Sequence, residues 1–342
     1  MKNFILILIL ISTSFSACNN DPDPVVNANT PTFPVTAVNL GEINSIYDDF
    51  NSASPFNGNV SPLCFSTNRA SEGANFDIIY KLLDVLYDGA NKKLIIGESN
   101  YANDYLGITK ANANLVNAVN TINSSSDELG PYLIPQGESE TESHNFIQNY
   151  ILLYATNKSG NLDIKLTGNL TNGTYSEPQN ITFLNSPKDD AYPTLNADKT
   201  LIYFCSNREN NFDIYETNLN NTSSLLSALT EQTERAITKN TILSSDYDDK
   251  CPFINGDLMV FTSNRPGGFG GFDLYYSIFK NGEWSNIVNF GNKINTQYDE
   301  YRPIVKAYSS FTNDFMIFSS NRPGGKGGFD LYYVGIDKMT GW

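Results

Sequence analysis

Four arginines stand in one local setting, each directly after an asparagine: Asn68-Arg69, Asn207-Arg208, Asn264-Arg265 and Asn321-Arg322. A guanidinium offers a fixed fork of donors that suits carboxylates, and acidic pairs recur ahead of these arginines at Asp48-Asp49, Asp189-Asp190, Asp248-Asp249 and Asp299-Glu300. Pairing of Arg69, Arg208, Arg265 and Arg322 with Asp48, Asp189, Asp248 and Asp299, or with acidic neighbours such as Glu300, would build the same salt-bridged turn again and again. Such a turn can fix the register of a structural unit, or it can present a polar rim where a peptide or glycan docks. A feature repeated in every unit is explained more simply by construction.

The remaining chemical inventory is sparse. The chain has 342 residues and one histidine, His144, in the acidic run Glu138-Ser-Glu-Thr-Glu-Ser-His144. That removes the usual proton shuttle of Ser-His-Asp and Cys-His catalysis and the usual transition-metal ligand. An enzyme with this sequence would have to work with carboxylates, as glycosidases do, and such pairs need no local motif. With 22 basic and 37 acidic residues the formal charge is −15, which argues against nucleic-acid binding. No stretch forms the compact acidic loop of a calcium site, and the Gly-rich turns lack the Gly-Lys-Ser/Thr and following helix of a phosphate cradle. Neither a metal nor a cofactor is expected. Cys64, Cys205 and Cys251 lack CxxC spacing and read as small buried hydrophobes, with a Cys205–Cys251 bridge left open.

The elements that must position these residues are repeats. Asn264-Arg265-Pro-Gly-Gly-Phe-Gly-Gly-Phe272-Asp273-Leu-Tyr-Tyr276 returns as Asn321-Arg322-Pro-Gly-Gly-Lys-Gly-Gly-Phe329-Asp330-Leu-Tyr-Tyr333. Weaker copies surround Asn207, Asn68 and Asn157, and a sixth, the most eroded, aligns Ala90 to Asn100 on Ala197 to Asn207. Short apolar runs such as Leu258-Met-Val-Phe261 and Phe315-Met-Ile-Phe318 predict strands. Pro-Gly-Gly turns the chain, and Phe272-Asp-Leu-Tyr-Tyr276 predicts the returning strand. Asn281-Gly282 signals a second hairpin. Asp77, Asp163, Asp213, Asp273 and Asp330, at strand starts, are placed to accept hydrogen bonds from hairpin amides. Four acidic pairs precede Pro131, Pro193, Pro252 and Pro303 at one spacing, and the pair at Asp48-Asp49 shows a longer gap to Pro55. The inner runs lack polar alternation, so both faces are buried. An insert from Asn218 to Thr241 is helical in composition between Ser223 and Thr230.

The ends carry the architecture. After the last inner strands, to Val334, the sequence leaves no room for a full outer strand before Trp342. Val38-Asn-Leu-Gly-Glu-Ile-Asn-Ser-Ile-Tyr-Asp48 resembles the segment from Val288 to Asp299, so the N-terminal stretch supplies the missing strand and closes a ring. The expected fold is all-β: a six-bladed β-propeller of four-stranded antiparallel blades over residues 35–342, the last blade closed by an N-terminal strand. Only 32 positions separate Asn68 from Asn100, so the first blade is expected to lack an outer strand.

This unit resembles the WD40-like β-propeller repeat of TolB-type periplasmic propellers and of Bacteroidetes-type envelope lipoproteins, over nearly all of residues 35–342. Lys2, the apolar run Phe4 to Ile11 and Phe15-Ser16-Ala17-Cys18 resemble a bacterial lipoprotein signal. Residues 1–17 would then be the signal peptide, Cys18 the lipidation site, and 18–34, rich in Asn, Asp, Pro and Thr, a flexible tether. The resemblance implies a non-catalytic scaffold lipoprotein, not an enzyme, at the bacterial outer membrane on its periplasmic or cell-surface side. Its partners would be the membrane, through the lipid, and an envelope protein or peptidoglycan-associated partner. Two alternatives stand beside it: an extracellular glycan-binding propeller whose Tyr and Trp side chains stack on sugars, and a carboxylate-dependent glycan hydrolase or lyase.

Overall fold

A computed structural model describes residues 30–55, 59–99, 108–140, 146–168, 175–219 and 224–339. The expected signal peptide, Cys18, most of the expected tether, Asn100 and His144 lie outside the described residues. The first strand, β1 (Val38–Asn39), belongs to the last blade. Blade 1 is β2 (Asp49–Ala53), β3 (Val60–Thr67), β4 (Asp77–Asp88) and β5 (Lys93–Glu98), followed by helix α1 (Ile108–Ile122). Blade 2 is β6 (Glu128–Glu140), β7 (Phe146–Thr156), β8 (Asp163–Gly168) and β9 (Gln179–Asn180). Blade 3 is β10 (Asp190–Leu195), β11 (Leu201–Ser206) and β12 (Asp213–Asn218), then α2 (Leu225–Thr230) and β13 (Thr238–Lys239). Blade 4 is β14 (Asp249–Asn255), β15 (Leu258–Ser263), β16 (Asp273–Lys280), β17 (Glu283–Trp284) and β18 (Val288–Asn289), and blade 5 is β19 (Glu300–Lys306), β20 (Asp314–Ser320), β21 (Asp330–Ile336) and β1.

The propeller therefore has five blades, not the six expected from the repeats. The eroded sixth copy is β5, the outer strand of blade 1, which pairs with β4 from Leu83↔Glu98 to Asp88↔Lys93. A turn followed by an apolar strand looks alike in sequence whether the strand is the second or the fourth of its blade. Blade 1 is accordingly complete. The gap assigned between Asp48 and Pro55 is also absent: Ser52 stands where the other blades carry proline, two positions after Phe50 in the unbroken strand β2.

Ring closure occurs as the sequence suggests. Val38 pairs with Tyr333 and Asn39 with Tyr332, and Asn44 bonds both the carbonyl and the amide of Leu331 at 2.9 Å. The residues just before β1 add to this seam. Phe33 is buried and stacks on Phe311 at 3.9 Å, and Gly335 N–H reaches the Pro34 carbonyl at 2.6 Å. The end of the segment expected to be tether is thus docked on blade 5.

Each inner strand carries the same distortion. Asn51, Gly130, Tyr192, Cys251 and Arg302 have φ of 59°, 58°, 57°, 55° and 47°, and each lies at a register shift between the first and second strands of its blade. This bulge releases an amide from the ladder. Three of these amides find a hydroxyl of the preceding blade: Asn51 to Ser319 Oγ (3.1 Å), Gly130 to Ser66 Oγ (3.3 Å) and Arg302 to Thr262 Oγ1 (3.1 Å). Asn51 Nδ2 donates to Tyr192 Oη at 3.3 Å across the axis, and four non-glycine residues occupy a left-handed conformation that costs about 1 kcal/mol or more each.

Between neighbouring blades the apolar sheets stack into separate core clusters. Leu63, Phe65, Val260, Leu274, Ile304, Phe315 and Phe318 are all solvent-excluded in one cluster. Helix α1, which the sequence did not announce, lays Leu115, Ala118, Val119 and Ile122 against Cys64, Ile78 and Tyr150. These positions follow the 3.6-residue period of an amphipathic helix. The helix expected in the insert is α2, capped by Ser224 Oγ, which accepts from Ser227 N.

Candidate functional site

The Asp–Asn–Arg residues sit at one end of the ring, where each inner strand starts. The first acid of each pair is an inter-blade clamp. Asp48 Oδ1 accepts from Phe329 N (2.7 Å), Asp189 from Leu162 N, Asp248 from Phe212 N and Asp299 from Phe272 N (each 2.9 Å). Their own amides donate to Asn68, Asn207, Asn264 and Asn321 Oδ1 within their blades. The second acid takes the arginine: Arg69–Asp49 at 2.6 Å, Arg208–Asp190 at 2.7 Å, Arg265–Asp249 at 2.5 Å and Arg322–Glu300 at 2.9 Å. Of the two acids the sequence offered in each pair, the inner one, fully buried, is the arginine's partner.

Each arginine does more. Its Nε donates to Thr67, Ser206, Ser263 or Ser320, and its Nη2 to the carbonyl of Ile43, Leu184, Leu243 or Ile294. Its plane lies about 5 Å from the rings of Phe65, Phe204, Phe261 or Phe318. Burial pushes the Glu300 carboxyl up, against the lowering influence of Thr296 and Arg322. Blade 2 replaces the arginine with Lys158, and Glu128 bonds Ser124 and Thr156 instead. Burial raises Glu128 as well. The expected rim residues are thus all engaged within and between blades. The strand-start aspartates Asp273 and Asp330 accept from the Gly-rich turns, from Phe269 and Gly270 and from Lys326 and Gly327. Cys64, Cys205 and Cys251 are free, buried thiols, so the Cys205–Cys251 bridge is not formed. Among the described residues no group of His, Cys, Asp and Glu could hold a metal ion.

Midway along the axis the bulge residues plug the ring. The Arg302 guanidinium lies 5.4 Å from the Tyr192 ring centre and donates to the carbonyls of Pro252 (3.2 Å) and Pro131 (3.3 Å). Tyr192 fills the space opposite because residue 130 is glycine: a Cβ there would overlap its ring. Desolvation lowers the Arg302 pKa.

Beyond the plug, where the inner strands end in hairpins, a cavity of about 280 Å³ opens on the axis. Ser54, Tyr132, Lys199, Asn255 and Lys306 give it its polar lining, and Ile134, Phe253 and Val305 its apolar wall. Tyr132 Oη accepts from Leu195 N, and Asn255 Nδ2 donates to Val305 O. Lys306 is only 2% exposed. Its ammonium donates to Ser54 Oγ (2.8 Å) and Ser61 Oγ (2.7 Å) and lies 5.8 Å from the Tyr308 ring. Burial depresses its pKa from 10.5 to about 7.

A second cavity of about 250 Å³ adjoins the first and shares Asn196, Ala197, Ile254 and Gly256 with it. It lies between blades 3 and 4 and is lined by Tyr203, Phe279, Trp284, Asp198 and Asp257. Phe279 is 37% exposed and meets Trp284 edge-on at 5.1 Å. Trp284 in turn meets Tyr203 at 6.0 Å. The Asn281-Gly282 turn, with φ of 56° and 87°, brings Trp284 back opposite Phe279. Hydrogen bonds from Thr200 hold Asp198 below the usual carboxylate range.

Sequence reasoning did not single out Lys306, Lys199, Tyr132, Asp198 or Asp257. The one available signal was Lys306 itself, a lysine following the apolar run Pro303-Ile-Val at the position where the sister blades carry Asn196, Asn255 or Ile134.

No protein-family model matches the chain, and no curated protein does either. Solved structures do align along it. One is an α-L-arabinofuranosidase from Podospora anserina in complex with cellotriose, 11% identical, covering 90% of this chain and 98% of that one with a TM-score of 0.49. Another is a thermostable family-43 glycoside hydrolase, 11% identical over 85% of this chain and 89% of that one, also at 0.49. A third is the catalytic domain of a GH62 α-L-arabinofuranosidase from Coprinopsis cinerea, 11% identical over 90% and 97% with a TM-score of 0.47. These findings correct the resemblance to WD40-like, TolB-type chains, because the neighbours are glycoside hydrolases. The expected non-catalytic scaffold and the expectation that the chain is not an enzyme were drawn from that resemblance and are withdrawn with it. At these scores nothing of their substrates or catalytic residues is carried over.

Proposed function

We propose that this chain is a glycan-active propeller that seats an oligosaccharide in the joined cavities of its hairpin face. The observation that carries the reading is the contiguity of the two cavities through Asn196, Ala197, Ile254 and Gly256. It sets an aromatic wall beside amides, lysines and carboxylates. The apolar face of a pyranose stacks on an aromatic ring, here the exposed Phe279 held edge-on by Trp284. Hydroxyl groups find Asn196, Asn255 and the lysines. Asp198 and Asp257 are the carboxylates of the groove, and hydrolysis of a bound glycoside would run through them, one protonating the leaving oxygen and the other activating water or attacking carbon. The lowered pKa of Asp198 suits the ionised role. In this reading a lipid on Cys18 would hold the glycan-binding face at the cell envelope.

The test is a panel of neutral and acidic oligosaccharides, followed by calorimetry for binding and by release of reducing ends for turnover. Phe279→Ala should weaken binding about tenfold, the scale of one lost aromatic contact of about 1.5 kcal/mol. Asp257→Asn should remove turnover. Binding that ignores Phe279, or no binding of any saccharide, defeats the reading.

A further inference from the structure

Among the described residues, the buried and half-buried cations fall into two groups, and Arg235 pairs with Glu231 at 2.8 Å. Arg69, Arg208, Arg265 and Arg322 each have a buried carboxylate, and Arg302 has two carbonyls and a ring. Lys306 differs. It is enclosed, it lines the axial cavity, and its partners among the described residues are two neutral hydroxyls. Removing an ammonium from water costs several kcal/mol unless a counter-charge or a full set of acceptors replaces the lost hydration. Two acceptors leave one of its three N–H groups without a partner among the described residues. Lys199, at the wall of the same cavity, brings a second cation, and no carboxylate is among the described residues that line it. In a chain of formal charge −15, a cavity with two lysines and no acid is a local reversal of sign. Its volume is at the small end for ligand pockets, the scale of a single sugar ring.

We propose that the axial cavity receives a carboxylate-bearing sugar, a uronic acid residue, whose carboxylate pairs with Lys306 while its hydroxyls meet Ser54, Asn255 and Lys199. The inference rests on the glycan reading above and names its substrate class. Ionised sugar and ammonium make a pair that satisfies the idle N–H and offsets the desolvation of both groups. Titratable groups on the elements around Lys306 are Glu300, Tyr301 and Arg302 on its own strand, Tyr308 just beyond it, Asp314 on β20, Asp49 on β2, Cys64 on β3, Asp84 on β4, Glu128 and Tyr132 on β6, and Lys199 across the cavity. Burial is the cause of the shifted Lys306 pKa, and no ion pair joins it to any of these. Uronate binding therefore brings a proton with it at neutral pH.

The full chain is titrated calorimetrically with trigalacturonate, triglucuronate and trimannuronate, each beside its methyl ester, at pH 6 and pH 8. At least one acid should bind tenfold or more tightly than its ester, with proton uptake measured across buffers. Its affinity should fall about tenfold from pH 6 to pH 8, as expected for a group of pKa about 7. Lys306→Met should abolish the acid preference. Equal affinity of acid and ester, or a preference that survives Lys306→Met, overturns the inference and leaves the glycan reading standing. If neither acids nor esters nor neutral sugars bind, both fall. Should Lys306→Met not fold, the pH dependence and proton uptake of the unaltered chain decide alone.

Discussion

Replacing Arg265 with methionine asks whether the arginine clamp fastens the blades. Methionine keeps a flexible apolar stem over Phe261 and Tyr275, each ring 5.2 Å from the guanidinium. It withdraws the donors to Asp249 Oδ1 (2.5 Å), Leu243 O (2.9 Å) and Ser263 Oγ (3.0 Å). Asp249 is fully buried and keeps two bonds from Ser245, at 2.6 and 2.8 Å. Taking one partner from a buried pair costs about 3–5 kcal/mol. Arg265 retains 16% exposure, so solvent screening and the surviving Ser245 bonds bring the expectation to about 2–3 kcal/mol. A double-mutant cycle with Asp249→Asn should give a coupling of about 1–2 kcal/mol. Urea unfolding, followed by far-ultraviolet circular dichroism, should show a lower midpoint with an unchanged slope. Lys158→Met supplies the internal comparison. Lys158 occupies the arginine position of blade 2 without an ion pair to Glu128 among the described residues, so its loss should stay within about 0.5 kcal/mol. If the two variants lose the same stability, or the coupling is below about 0.5 kcal/mol, the clamp does not hold the blade and the reasoning fails.

Gly130→Ala should cost about 2–4 kcal/mol in the same unfolding assay, combining overpacking against Tyr192 with a left-handed backbone. Gly137→Ala, whose Cβ would meet open space, should cost less. Stability should rise with pH between about 7 and 10.5, by at most about 1.4 kcal/mol per unit. Over that window the unfolded Lys306 amine holds a proton that the folded one has lost, and below it both are charged. Lys306→Met should lack this rise when chemical unfolding is repeated across the range.

Strand identity, ring closure and the clamp's participants were legible in the amino-acid order because each is local or repeated. Val38-Asn39 resembles Val288-Asn289 since both strands do one job, lying outside Tyr332-Tyr333 and Tyr275-Tyr276. Blade number was not legible, because Ala90 to Asn100 and Ala197 to Asn207 share a turn and a strand while differing in which neighbours that strand finds. The choice between Asp248 and Asp249 as the arginine's partner turned on which of two adjacent side chains faces inward, a matter of pleat. The cavity was the least visible part. Lys306 meets Ser54 and Ser61 from 252 and 245 positions away, and its polar residues come from single positions at the ends of different inner strands.

The seam between β1 and β21 also governs the order of events during synthesis. Asn39 bonds Asp330 across 291 positions, so at about 5–20 residues per second the ribosome needs about 15–60 s to deliver the partner after the first strand has emerged. For that interval Phe33, Leu40 and Ile43 have no blade to bury them. A nascent chain of this kind would have its first apolar residues waiting for its last, and shielding by a holding chaperone would serve it best at that stage.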